Sequence, residues 1–262
     1  MTGEKSPFVQ VNSVRNHLLN ALPSEEWHRI AGYFKRTPLK ARRVLHHWNM
    51  PMQQVYFVET GLVSVMARAD STSAIEVWIV GREGMSGIPV VLGGEASPPH
   101  RRVVLMGGAA LQISAGDLRQ AMAESSTFHA LLLRYVQVVL TQTSQLAACN
   151  ARHSVQKRLV RWLLMAQARL GDGDLSLTHD TLSNLLGVRR ASVTNAMTAL
   201  HNMGWIDTTR GRIRLLDFAQ LEAAACNCHQ MISGEYERTL RGWIQQKTLG
   251  EADRAKSLVP PE

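Results

Sequence analysis

From Thr37 to Ile113 the apolar positions come in short clusters rich in Val, Ile, Tyr and Phe: QQVYFV, LVSVMAR, AIEVWIV, RRVVLM and ALQI. Gly, Pro, Asp and Ser separate them. That spacing predicts a small antiparallel barrel or jelly roll, with Gly61, Gly81, Gly84, Gly87, Gly93-Gly94 and Gly107-Gly108 marking turns. Ahead of it, the first ~35 residues read as one or two short helices, with Ser24 placed to cap a helix whose first turn holds Glu25 and Glu26. Behind it, Ser125 to about Ala151 contains neither Gly nor Pro. There Leu132, Tyr135, Val139, Gln142, Leu146 and Cys149 recur at alternating spacings of three and four, the seam of a heptad. A stripe of this kind packs on its own barrel or pairs with a second copy. Pairing is the expectation, which makes this a dimerisation helix. Cys149 on the seam reads as a packed thiol, the alternative being a thiol that meets its partner across a dimer axis.

Residues 154–170 repeat a helical period, with Val155, Leu159, Trp162, Leu163 and Ala166 on one face and Lys157, Arg158, Arg161 and Arg169 mostly off it. The stretch LTHDTLSNLLGVRRASVTNAMTALHNMGWI follows. With Thr178 as N-cap, Leu182, Leu185 and Leu186 share one face of a two-turn helix that Gly187 closes. A second helix starts at Arg189 or Arg190, with Val193, Met197 and Leu200 inward and Arg190, Ser192, Thr194 and Asn195 mostly elsewhere. This is a helix-turn-helix pattern: a small residue lets two helices cross, and the second helix offers a polar outer face short enough to enter a major groove. Trp205-Ile206 and Ile213 to Leu216 then predict a hairpin turning at Arg210-Gly211, a wing whose Arg210, Arg212 and Arg214 suit phosphates. Beyond about Ser233 only the patch TLRGWIQQ looks helical.

Charge follows the same division. Residues 153–216 carry nine Lys/Arg against four Asp/Glu, the most basic segment per residue in a chain of net charge +8. A polyanion such as double-stranded DNA is the natural partner of such a surface. The longest apolar runs fall far short of the ~20 residues that span a bilayer, and the first residues lack a signal-peptide core, so a cytoplasmic location without membrane contact is expected. Three cysteines are too few for a secreted disulfide framework, and too few for an iron-sulfur cluster held by four thiolates. Cys226-Asn227-Cys228-His229 has metal-like composition but lacks the usual C-x-x-C spacing and a fourth ligand, so no metal site and no cofactor are expected. His46-His47 and His100 read as solvated rather than haem-ligating. No nucleophile elbow, phosphate loop, paired carboxylates or HExxH nominates a reaction, and an enzyme is not expected.

The order of these parts, with the segments VYFVETGLVSV, GREGMSGIPVVLGG and LSNLLGVRRASVTNAMTALHNMGWID, resembles the CRP/FNR superfamily of bacterial transcription regulators over roughly residues 15–230. The resemblance implies an α+β chain: an N-terminal cyclic-nucleotide-binding-like β-roll (1–124), a dimerisation helix (125–152), a winged helix-turn-helix domain (153–232) and a C-terminal extension (233–262). It further implies a homodimer on a palindromic operator, with RNA polymerase as a partner. DNA contacts are expected from Thr178, Arg189, Arg190, Ser192, Thr194, Asn195, Arg210 and Arg212. Arg190 matches the first base-reading arginine of the family, but Ala191 and Asn195 replace the glutamate and second arginine, so the operator should differ from that of the cAMP receptor protein. In the sensor, Gly87 and Ile88 fall in the ribose-binding segment and Arg101 and Arg102 in the phosphate-binding one. Ile88 cannot accept ribose hydroxyl bonds and Arg102 would crowd the phosphate, so any effector is expected not to be cAMP. Both arginines fit another small anion or plain surface equally well. The alternative function is a nucleotide- or anion-sensing module that regulates a protein partner.

Overall fold

A side chain at Gly61 or Gly108 would collide with backbone: a Cβ at Gly61 would sit 2.5 Å from the Met106 carbonyl oxygen, and one at Gly108 would sit 2.1 Å from that of Thr60. These glycines mark bends inside long strands, not strand ends. In the computed structural model, which describes residues 14–71, 73–93 and 98–241, QQVYFV and LVSVMAR fuse into one strand, Gln54–Arg68 (β3). RRVVLM and ALQI fuse likewise into His100–Ser114 (β6). The two pair antiparallel from Gln54 opposite Ser114 to Ala67 opposite His100, with register shifts between Val58 and Val63. Around this bent ribbon lie β1 (Lys35–Leu39), β2 (Val44–His46), β4 (Ala74–Val80) and β5 (Met85–Ser86), in the order β1-β6-β3-β4, with β2 on β6 and β5 on β3. Successive residues of β3 feed different cores. Val55 and Phe57 join one, and Tyr56 and Val58 the other, as the two-residue period of a strand requires. Gly94 and the chain beyond Arg241, including most of TLRGWIQQ and of the expected C-terminal extension, lie outside the described residues.

Helices pack on one side of the roll: α1 (His17–Asn20), α2 (Ser24–Ile30), α3 (Ile88–Val91), α4 (Ala115–Glu124) and α5 (Ser126–Arg152). Pro23 is the N-cap of α2, and no side chain caps it, so Ser24 is the first helical residue rather than the expected cap. Phe34, Phe57 and Phe128 meet edge-on or tilted at the centre of this core, with ring centroids 5.5–6.4 Å apart.

The heptad seam of α5 faces inward, which corrects the expectation of a dimer stripe. Leu132, Tyr135 and Val139 are buried against the roll, Leu146 joins the core that the helices after residue 154 build, and Gln142 and Cys149 are equally enclosed within the chain. A second stripe, one register away, is exposed along its whole length: Ala130, Leu133, Gln137, Leu140, Ser144, Ala147 and Ala151. Its apolar signal was weaker because Ala, Ser and Gln fill most of its positions.

The next helix, α6 (Val155–Leu170), is covered on nearly every side, by the roll, by α5 and by the helices that follow. Two arginines expected off its apolar face are consequently buried, Arg161 at 4% and Arg169 at 6% exposure. Arg169 is paired three ways: Nε donates to Glu83 Oε1 at 2.8 Å, Nη2 to Gln142 Oε1 at 2.8 Å, and its guanidinium lies 5.2 Å from the Tyr236 ring centroid. Because a buried charge stripped of its counter-ion is costly, Glu83→Gln should lower unfolding stability by about 3 kcal/mol. Denaturant titration measures this, and a loss near zero would mean that Arg169 finds its compensation elsewhere.

Candidate nucleic-acid interface

After α6 come α7 (His179–Leu186), α8 (Arg190–Asn202), the hairpin β7 (Ile206–Thr209) and β8 (Arg212–Leu215), then α9 (Phe218–Ala224) and α10 (Cys228–Tyr236). Thr178 Oγ1 accepts the Thr181 amide at 3.1 Å, so this hydroxyl caps α7. Gly187 ends α7 in the left-handed conformation (φ 63°, ψ 44°), and the Val188 amide returns to the Ser183 carbonyl at 3.0 Å. From α6 the Arg158 guanidinium donates to the Leu186 carbonyl, satisfying an acceptor that the helix end leaves unpaired. Leu182, Leu185 and Leu186 of α7 and Val193, Ala196, Met197 and Leu200 of α8 close on Leu159 and Leu163 of α6.

The opposite face of α8 is what remains. Arg189, Arg190 and Asn195 are exposed, and among the described residues their side chains make no hydrogen bond or ion pair. Ser192 and Thr194 are half-buried. Thr194 Oγ1 lies 3.2 Å from His179 Nδ1, tying α8 to the start of α7. Thr178 and Thr194 thus position the motif, while Arg189, Arg190 and Asn195 are available to a ligand. Ala191 and Thr198 share the exposed face. Thr198 escaped the sequence reading, although it lies three residues beyond Asn195, the spacing of helical neighbours.

In the wing, Arg210 and Gly211 both take positive φ, 49° and 76°, the conformation of a two-residue hairpin turn that matches strand twist. Arg210 and Arg212 are exposed at its tip. Arg214 differs: its guanidinium holds Asp174 through two bonds of 2.8 and 3.1 Å, raising its own pKa and lowering that of the aspartate. A backbone bridge between Leu175 and Ile213 fixes the same loop to the hairpin.

The roll backs this unit directly. Ile75 of β4 packs against the helix-turn-helix turn, where a Cβ on Gly187 would meet its Cγ2 at 2.9 Å. Beside it Glu76 accepts from Ser64 Oγ at 2.6 Å and from Trp162 Nε1 of α6 at 2.5 Å. Part of this residue reaches solvent, but its carboxyl group is enclosed. Burial raises its pKa from 4.5 to about 7, against the opposing pull of those two donors, Arg161 and Arg169.

Of the effector-region residues, Gly87 is buried beneath Val55, and Ile88 opens α3 half-buried against the aromatic core. Adjacent strand residues face opposite ways. It is Arg102, at 1% exposure, that enters the roll, while Arg101 stays half-exposed. Arg102 Nη1 donates to the His100 carbonyl at 3.1 Å. Burial lowers its pKa to about 10 and that of neighbouring His46 to about 4, the latter also pressed down by Arg102 itself. The expectation of no metal site rested on a missing fourth ligand. Folding brings Cys149 and His153 to Cys226 and Cys228.

A β-roll is thus joined by a long helix to a winged helix-turn-helix whose exposed cations lie at the start of α8 and at the tip of the wing. Residues 157–224 match the Crp-like helix-turn-helix domain family, and the chain has the fold of the CRP/FNR regulators. Its structure is similar to that of FixK2 from Bradyrhizobium japonicum (TM-score 0.62, 16% identity, 74% of this chain and 98% of that one). It is similar too to the c-di-GMP-responsive global regulator CLP of Xanthomonas campestris (TM-score 0.61, 16% identity, 74% and 100%). In sequence it resembles the global nitrogen regulator of Nostoc sp. strain PCC 7120, 25% identical over 171 residues, covering 62% of this chain and 77% of that protein. Among the described residues no helix is long and apolar enough to cross a membrane.

Glu76 makes the contact between roll and DNA-binding unit sensitive to pH. Between pH 4.5 and about 7 the folded protein keeps a proton that the unfolded chain has released, so its contribution to stability falls as pH rises and levels off above that window. At about 1.4 kcal/mol per unit, Glu76→Gln should gain about 3 kcal/mol relative to the parent protein between pH 5 and pH 8. Denaturant unfolding of both proteins at the two pH values measures it, and parallel pH profiles would refute it.

Proposed function

We propose that this chain is a homodimeric, sequence-specific regulator that places two α8 helices in successive major grooves of a palindromic operator. The observation that carries this reading is the unengaged outer face of α8: Arg190, Asn195 and Thr198 point to solvent while Val193, Met197 and Leu200 anchor the helix. Arg190 at the helix start is suited to a bidentate guanine contact, Asn195 to adenine, and Arg210 and Arg212 of the wing to flanking phosphates. With Ala191 where the family's glutamate stands, one base pair of each half-site is read by apolar contact or not at all, which separates this operator from that of the cAMP receptor protein.

Two such helices must stand ~34 Å apart, and the exposed α5 stripe is suited to set that distance. Leu133 and Leu140 are 44% and 63% exposed. Ala130 before them and Ser144, Ala147 and Ala151 after them would let two α5 helices approach closely, so the interface runs through Ala130, Leu133, Gln137, Leu140, Ser144, Ala147 and Ala151 rather than the inward seam. In the sensor, the buried Arg102 has no carboxylate within ion-pair distance among the described residues, which favours a small anionic effector other than cAMP. Its effect would reach α8 through Glu76–Trp162 and Glu83–Arg169.

Arg190→Ala should weaken operator binding about 10- to 100-fold and relax preference at one base pair per half-site. Arg212→Ala should weaken binding to all sequences alike and reduce the salt slope by about one. Titrations against operator and scrambled DNA at several salt concentrations test both, and unchanged affinity of Arg190→Ala for every DNA would sink the proposed orientation. Separately, Leu140→Glu should yield monomers in sedimentation equilibrium with the circular dichroism spectrum intact, and a dimer that survives it would place the interface elsewhere.

A further inference from the structure

All three cysteines of this chain meet at one point, although 77 residues separate Cys149 from Cys226. Cys149 lies in the last turn of α5. His153, its neighbour one helical turn on, is the C-cap residue, where the backbone leaves the helix in an extended conformation (φ −103°, ψ 146°). Cys226 and Cys228 flank the corner between α9 and α10, held by the His229 amide donating to the Cys226 carbonyl at 2.9 Å. The three sulfurs and the imidazole nitrogen lie within 4.8 Å of one another, and the three thiols are buried. Cys149 Sγ and Cys226 Sγ are 3.6 Å apart, and Cys228 Sγ and His153 Nδ1 are also 3.6 Å apart.

Those separations are the edges of a small tetrahedron. Bonds of about 2.3 Å to sulfur and about 2.0–2.1 Å to nitrogen around a tetrahedral ion require edges of about 3.8 Å between sulfurs and about 3.5 Å between sulfur and nitrogen. A multi-iron cluster does not fit so tight a set, because its ligands are divided among two or more irons and cannot all lie within 4.8 Å of one another.

Charge points the same way. Three thiolates and a neutral imidazole around a divalent cation carry a net charge of −1. The enclosed Arg161 guanidinium is electrostatically coupled to Cys149, and its buried Nε has no hydrogen-bond partner. Gln145 Nε2 donates to Cys228 Sγ at 3.1 Å, the kind of outer hydrogen bond that orients a thiolate ligand.

We infer that Cys149, His153, Cys226 and Cys228 form a binding site for one thiophilic divalent cation, zinc by its chemistry, that fastens the α9–α10 corner to the end of the long helix. The site has four protein ligands and no open position, so its role is structural rather than catalytic. It sits on the two-residue joint, His153-Ser154, between α5 and α6, and so clasps the junction through which a dimerisation helix would aim the DNA-binding unit. The metal site itself does not depend on the DNA reading.

The test uses the full chain purified without a metal-binding tag. Elemental analysis should find about one zinc per chain. Removing it with a strong chelator should lower Tm by roughly 5–10 °C, reversed by added zinc. Cobalt(II) added to the chelator-treated wild-type protein should give the intense ligand-field and sulfur-to-cobalt charge-transfer bands of a tetrahedral thiolate site, a readout that needs no variant. His153→Ala and Cys226→Ser should each weaken or abolish those bands. Wild-type protein that binds neither zinc nor cobalt in this form overturns the inference, as does a Cys149–Cys226 disulfide found by mass spectrometry in freshly purified protein. Full metal binding by Cys226→Ser with an unchanged cobalt spectrum would overturn the ligand set.

Discussion

Taking a guanidinium out of water is costly unless something answers its charge, and the fold turns on how α6 meets that condition. Covered by the roll on one side and by α7 and α8 on the other, this helix carries Arg161 and Arg169 inside the protein. The roll supplies the answering groups. Glu83 takes Arg169, and Glu76 receives the Trp162 indole while facing both arginines. Apolar packing tolerates sliding by a fraction of a turn, whereas paired charges in a dry interface do not. The register of α6 against the roll is therefore set electrostatically, and the register of α7 follows from it through Arg158 and the Leu186 carbonyl. The polar outer face of α8, with Arg190, Asn195 and Thr198, is what this chain of constraints leaves outside.

The parts of the molecule legible in its sequence are those built from local rules. Thr178, Gly187 and the Arg210-Gly211 turn each fix a backbone conformation within a few residues, and the structure shows the cap, the left-handed closure and the hairpin where the residues require them. The fold class rests on the same ground, since period-two and period-3.6 apolar patterns declare themselves over a dozen residues. What escaped is non-local. The α5 stripe richest in apolar residues is the one that a long helix buries against its own roll. The two glycine-marked breaks in the strand pattern are bends because each packs directly on the backbone of a strand far away in sequence, Gly61 on Met106 and Gly108 on Thr60. Arg161 and Arg169 look solvated on a helical wheel and are not, because a wheel knows one neighbour and α6 has several.

The cysteine cluster belongs to the same class. Read in sequence, Cys226-x-Cys228 is half a site with unorthodox spacing. Its other half stands on a helix in a different part of the chain and becomes visible only once α5 and α10 pack together. Composition gave no sign of it: the count of cysteines is small, and only the fold gathers all three in one dry spot.

The bent ribbon of β3 and β6 carries a temporal consequence. Its first strand begins at Gln54 and its closing partner ends at Ser114, so although β3 and β4 can pair early as a local hairpin, the roll closes only when β6 is drawn against β3 across the intervening chain. During synthesis the N-terminal half of the chain must therefore wait, with its apolar strands exposed, until residue 114 has emerged from the ribosome. Among the described residues, the helices and hairpin beyond α5 contain no strand pairing as distant in sequence as that of Gln54 with Ser114, and face no such delay.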